Sequence, residues 1–166
     1  MTASEFLATI LDLGLVWCAA IPGWTIPADD RARVLMLAIA GQESSWTDRV
    51  QQGGPARGYW QFERGGGVAG VLSNAATIGA ARLACAEARV MMTSGAVYDA
   101  LATNDDLAAA FARLLLWSDV NPLPALGEQD EGWNYYLRNW RPGKAGPDRW
   151  PANYQAAMAA VQGPIV

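Results

Sequence analysis

Histidine is absent, and lysine nearly so: Lys144 is the single one in a chain of 166 residues. Without imidazole, Ser-His and Cys-His nucleophilic catalysis and histidine-ligated zinc are excluded. Acid–base work then falls to carboxylates or tyrosine. Charge is sparse altogether. Charged residues make up 17% of the chain, the net charge is −4, and no face carries a Lys/Arg run. The basic footprint of a duplex nucleic-acid binder is therefore missing. Cysteine is limited to Cys18 and Cys85, both in apolar helical contexts. They read as small buried hydrophobes, with a single disulfide left open by the sequence. Glycine-rich stretches occur, but the Lys-Ser/Thr of a phosphate-binding P-loop does not follow them.

Apolar residues are plentiful. They make up 52% of the sequence, enough to fill the core of one domain spanning residues 1–166. Apolar spacing predicts helices over about 4–20, 29–44, 74–92, 103–117 and 128–140, and a last one from about 151 to a stop at Gly163-Pro164. In the first, Phe6, Ile10, Leu13 and Trp17 share a face. In the fourth, Thr103 opens a capping-box-like start. The stretch 47–70 reads as a loop or small β-hairpin, with Tyr59-Trp60-Gln61-Phe62 as one aromatic strand. The fold class expected is mostly α, with a small β-hairpin near residues 50–65.

One stretch organises the chain. Val34 to Ala40 is apolar all round and too short to span a bilayer, so it reads as a core helix. At its end stands Glu43. A carboxylate there faces the negative end of the helix dipole and the aromatic rings of Trp46, Tyr59 and Trp60. Dipole and burial both disfavour ionisation, so the pKa is expected to rise. A carboxylic acid that stays protonated near neutral pH is what glycosidic-bond cleavage requires. A Glu that merely ends a helix in water is the alternative.

Glu43-Ser44-Ser45-Trp46, followed by Gln52 to Gln61, resembles the signature of lytic transglycosylases and goose-type lysozymes. That pattern is Glu-Ser-x-Phe/Trp, then Ser-x-x-Gly-Ala-x-Gly-Leu-x-Gln. Glu43, Ser44, Trp46, Ala56, Gly58 and Gln61 match it. Gln52, Pro55 and Tyr59 depart from it, all within the loop. The chain as a whole looks like small phage-encoded murein hydrolases.

The resemblance implies a lysozyme-like helical domain that cuts bacterial peptidoglycan between N-acetylmuramic acid and N-acetylglucosamine, with no cofactor and no metal. Glu43 becomes the general acid. Gln61 and Ser44 become the cleft glutamine and the serine that supports the loop. Tyr59, Trp60 and Trp46 are candidates to touch the acid or the sugar, as is Trp150 for a sugar-binding wall. Tyr135 or Tyr136 is expected to place a hydroxyl near Glu43, and helical phase favours Tyr136. A second carboxylate, if water is the attacking group, would be Asp48, Glu63 or Asp119.

The N-terminus carries Glu5 and Asp12 and lacks a basic start, so it does not read as a secretory signal. The apolar run Leu13 to Ile21 is too short for stable membrane insertion. A wall-cutting enzyme of this kind would reach its substrate through holin-type release or with other virion proteins. Two rivals stay open. One is a non-catalytic glycan-binding or virion structural module on the same fold. The other is a helical interaction protein in which Glu-Ser-Ser-Trp is coincidence.

Overall fold

Eight helices form the regular structure of residues 1–163, the part of the chain that the computed structural model describes. They are α1 (Ala3–Ala20), α2 (Asp30–Ser44), α3 (Arg64–Ser73), α4 (Ile78–Glu87), α5 (Ser94–Ala100), α6 (Asp105–Trp117), α7 (Gln129–Trp140) and α8 (Trp150–Gln162). Pro164 of the expected stop lies outside the described residues.

Helix α2 is capped by Asp29, whose side chain accepts from the Ala32 N–H. This satisfies one of the free amides of the first turn. From Val34 to Gln42 every residue is buried. The all-apolar run has no outward face because α8, α6 and α1 all pack against it. Helix α6 is the second buried helix, closed from Leu107 to Leu116, with α1, α3 and α4 around it. Its cap is Asn104, which accepts from the Leu107 N–H, rather than Thr103.

Helix α1 departs from simple periodicity. Residues Leu7–Leu11 form a π-turn between two α-helical stretches. The extra residue per turn shifts the phase. The buried stripe becomes Phe6, Leu7, Leu11, Gly14 and Cys18, and Leu13 is 58% exposed instead of facing the core. Gly14 lies so close to Ala109 of α6 that an added Cβ would stand 2.5 Å from the alanine Cβ. The helix matches the expected span of about 4–20, and it is longer than the apolar run Leu13 to Ile21 alone. A capping box between Thr2 and Glu5 starts it at Ala3, and the resulting 18 residues are long and apolar enough to cross a membrane. One third of it is buried in this fold.

Between α2 and α3 no strand forms among the described residues. The hairpin expected near residues 50–65 is reduced to two isolated antiparallel bridges, Val50 with Arg57 and Arg57 with Phe62. Gly53, Gly58 and Gln61 have positive φ, which turns the chain before a ladder can extend. Helix α3 occupies what reads in sequence as the end of that loop. It starts as a wide turn broken at Gly66. The single helix expected over 74–92 is α4 alone, ended at Arg89 with φ 55°. The short α5, capped by Thr93, has no counterpart in the sequence reading. Cys18 and Cys85 are both free and buried, and burial pushes their thiols up to about 12 and about 11.

Gly58 fixes the loop against this core. Its φ is 72°, and an added Cβ would meet the Leu101 carbonyl oxygen at 2.9 Å. Both strain and overlap act there. Gly58→Ala is expected to lower stability by about 2 kcal/mol in chemical denaturation. Gly53 has φ 68° but no neighbour within 4 Å, so Gly53→Ala should cost less.

Candidate active site

Helix α2 ends in two consecutive left-handed residues, Ser45 with φ 53° and Trp46 with φ 57°. Such a pair is costly for side chains with a Cβ. Trp46 offsets it by folding back over the helix. Its indole N–H donates to the Leu37 carbonyl at 2.9 Å, and its ring lies on Gly41, where a Cβ would stand 2.4 Å from the ring. Ser44 is buried and donates to the Ala40 carbonyl at 2.9 Å. Glu43 is left in the last turn, half-buried, at the edge of an open groove of about 1300 Å³.

The Tyr136 hydroxyl donates to Glu43 Oε1 at 2.6 Å. Burial pushes the Glu43 carboxyl up, the Tyr136 bond and the Arg149 charge pull it down, and the Glu63 charge pushes it up again. The result is about 7, against an ordinary value of 4.5. Burial and the facing Glu43 also raise Tyr136, so its proton stays on the phenol. Tyr136 is fixed from behind by Trp150, whose ring stacks on it at 5.5 Å and 11°. Trp133 closes the stack at 5.2 Å from Tyr136 and 5.5 Å from Trp150. Tyr135 turns the other way and donates to the Leu116 carbonyl at 2.7 Å.

Gln61 lines the groove with Glu43. Its amide N–H₂ donates to the Gly58 carbonyl at 2.8 Å and the Asp48 carbonyl at 3.1 Å. Both hydrogens are spent on the loop, so the side chain offers a ligand only its carbonyl oxygen.

Of the three possible second carboxylates, one is free in the groove. Asp48 is exposed and outside the groove lining. Asp119 lines the groove but is fully engaged. It accepts from Arg138 at 2.6 Å, from the Asn139 side chain at 2.7 Å, and from the Asn121 backbone and side chain. Burial would raise it, but these bonds outweigh burial and hold the carboxyl at about 2. Glu63 lines the groove, exposed, and acts on Glu43 through its charge.

The aromatic residues are redistributed. Tyr59 and Trp60 are 2% and 0% exposed and do not reach a ligand. Their turn points into the core, where Phe6 meets both edge-on and the Trp60 indole donates to the Met36 carbonyl at 2.8 Å. Trp46 and Trp150 are likewise occupied inside. Trp140, which reads in sequence as part of a core stripe, is half-buried and lines the groove instead. Its indole N–H donates to the Trp60 carbonyl at 2.9 Å.

Gln42 was not singled out by sequence. It is 2% exposed and fully bonded. Its amide donates to the Ala145 and Gly146 carbonyls at 2.7 and 2.9 Å. Its side-chain oxygen accepts from Asn153 at 3.0 Å, and its backbone carbonyl from Arg149 at 2.8 Å. A polar residue near the end of an apolar helix is the available signal, because a buried amide must find partners. Among the described residues no group of three or more carboxylate, thiol or imidazole side chains converges as a metal site would require.

Comparison with family models, curated proteins and solved structures finds no match to this chain.

The raised Glu43 carboxyl has a thermodynamic consequence. The folded state keeps this proton to about pH 7, whereas the unfolded chain releases it near the ordinary carboxylate value. Between those values the folded state binds more protons, so stability falls as pH rises through that window and is flat above it. Glu43→Gln is expected to stabilise the protein by up to about 3 kcal/mol at pH 8 and by little at pH 4. Denaturation midpoints measured at both pH values check this.

Proposed function

We propose that this protein is a peptidoglycan glycosidase with a lysozyme-like domain, and that Glu43 is its general acid. The observation that carries the reading is the half-buried Glu43 carboxyl, raised to about 7, which shares with Gln61 the lining of a groove large enough for several sugar rings. The resemblance of Glu43-Ser44-Ser45-Trp46 and Gly58-x-x-Gln61 to the lytic transglycosylase and goose-type lysozyme signature supports the substrate.

In this mechanism Glu43 protonates the glycosidic oxygen between N-acetylmuramic acid and N-acetylglucosamine as the C–O bond breaks, and positive charge develops on the sugar ring. Tyr136 orients the carboxyl and then stabilises the carboxylate left behind. Two completions are open to the chemistry. In one, the sugar's own 6-hydroxyl attacks, Glu43 takes its proton, and a 1,6-anhydro end forms. In the other, water attacks and a reducing end forms. Glu63, the free carboxylate of the groove, favours the second. A non-catalytic glycan-binding module is the rival, and it predicts that Glu43 is dispensable. Delivery to the wall from a phage virion or through holin-type release belongs to this proposal.

Turbidity clearing of purified murein by wild type and by Glu43→Gln tests the reading. The amide is expected to lose at least about a hundredfold in rate, and equal rates would overturn the assignment. Mass analysis of the products separates anhydro ends, lighter by one water, from reducing ends. The alkaline limb of kcat/KM should fall near pH 7, where Glu43 ionises. Tyr136→Phe should move that limb upward, since it removes a bond that holds the carboxyl down.

A further inference from the structure

The chain has 12 cations, and several of the arginines are engaged by the scaffold. Arg31, Arg33 and Arg49 are paired with aspartates of the scaffold. Arg113 is buried. Arg138 is bound to Asp119. Two that are not spent stand on one wall of the groove, Arg141 and Lys144. Both are exposed, and among the described residues neither is ion-paired.

This wall is held in place. Arg141 caps α7 with φ 50°, and its Nε donates to the Arg138 carbonyl at 3.2 Å. Just beyond Lys144, the carbonyls of Ala145 and Gly146 are gripped by the Gln42 amide. Gln42 directly precedes Glu43. The same buried side chain therefore fixes the cationic turn relative to the acid.

We infer that the Arg141–Lys144 turn recognises carboxylates carried by the glycan strand, so that this groove selects acidic over neutral β-1,4-linked glycans. The inference rests on the glycosidase reading for its choice of glycan. Peptidoglycan offers carboxylates from two sources: the stem peptides, and the lactyl arm of the sugar once an amidase has removed them. Chitin has a similar N-acetylated backbone and neither.

The test uses the Glu43→Gln protein, so that binding is read without turnover. It is cosedimented with intact sacculi, with amidase-stripped sacculi and with chitin, beside the same protein carrying Arg141→Gln and Lys144→Gln. Both added positions are exposed, and circular dichroism checks that the fold is kept. The charge variant should bind sacculi about fivefold more weakly, with chitin binding unchanged, and added salt should erase the difference. Loss confined to intact sacculi assigns the stem peptides, and loss confined to stripped sacculi assigns the lactyl arm. Equal binding by both proteins, an equal loss on chitin, or no binding to sacculi overturns the inference. Cleavage by the wild type together with equal binding removes this inference alone. Charge-dependent binding without wild-type cleavage removes the catalytic reading alone.

Discussion

Glu43 and Tyr136 meet across 93 residues of chain, and much of the architecture is needed to let them. Helix α2 must end where it does, which the left-handed pair Ser45-Trp46 enforces. Helix α7 must present Tyr136 and not a neighbour, which the Trp133–Trp150 stack enforces. Helix α8 supplies both Trp150 and Asn153, tying the stack and the Gln42 network to one element. The contact itself is a compromise. Burial favours the protonated acid, and the phenol favours the carboxylate. Because the two oppose each other, the carboxyl comes to rest near neutrality instead of far above it.

The groove is polar in a protein that is otherwise short of charge. Its lining includes the carboxylates Glu43 and Glu63, the cations Arg141 and Lys144, and the Asp119–Arg138 pair. The paired residues brace α7 and leave little net charge of their own. The unpaired ones remain to act on whatever enters. The aromatic pair Tyr59-Trp60 lies behind this surface. Through the Trp60 carbonyl it carries Trp140, the ring that faces the groove.

Much of this was legible in the sequence, for identifiable reasons. An apolar run with no polar face can only be a buried helix, and α2 follows from that, while α6 follows from the spacing of its apolar residues. The acid at the end of α2 and the phase of Tyr136 were readable because each depends on local spacing, whereas Gln61 was singled out only through the resemblance. Other features depend on what a residue meets across space. Tyr59 and Trp60 read as ligand-facing because an aromatic pair beside an acid suits a sugar, but Phe6 and the Met36 carbonyl draw them inward. Trp140 reads as core by helical phase, yet the chain leaves α7 directly after it and uncovers its ring. The π-turn in α1 shifts the buried stripe without a Pro or Gly to announce it, and the short α5 is too brief for periodicity to register. Gln42 is the instructive omission, since its partners lie more than a hundred residues away.

Tyr135 and Tyr136 are neighbours with different anchors, one at the Leu116 carbonyl and one at the acid. Successive residues on a helix are separated by roughly 100° of arc. The two hydroxyls therefore clamp α7 at two bearings about its own axis. A small twist that improved one bond would lengthen the other. The phenol that faces Glu43 is thus aimed by an adjacent side chain that never enters the groove, and the orientation is set before any ligand arrives.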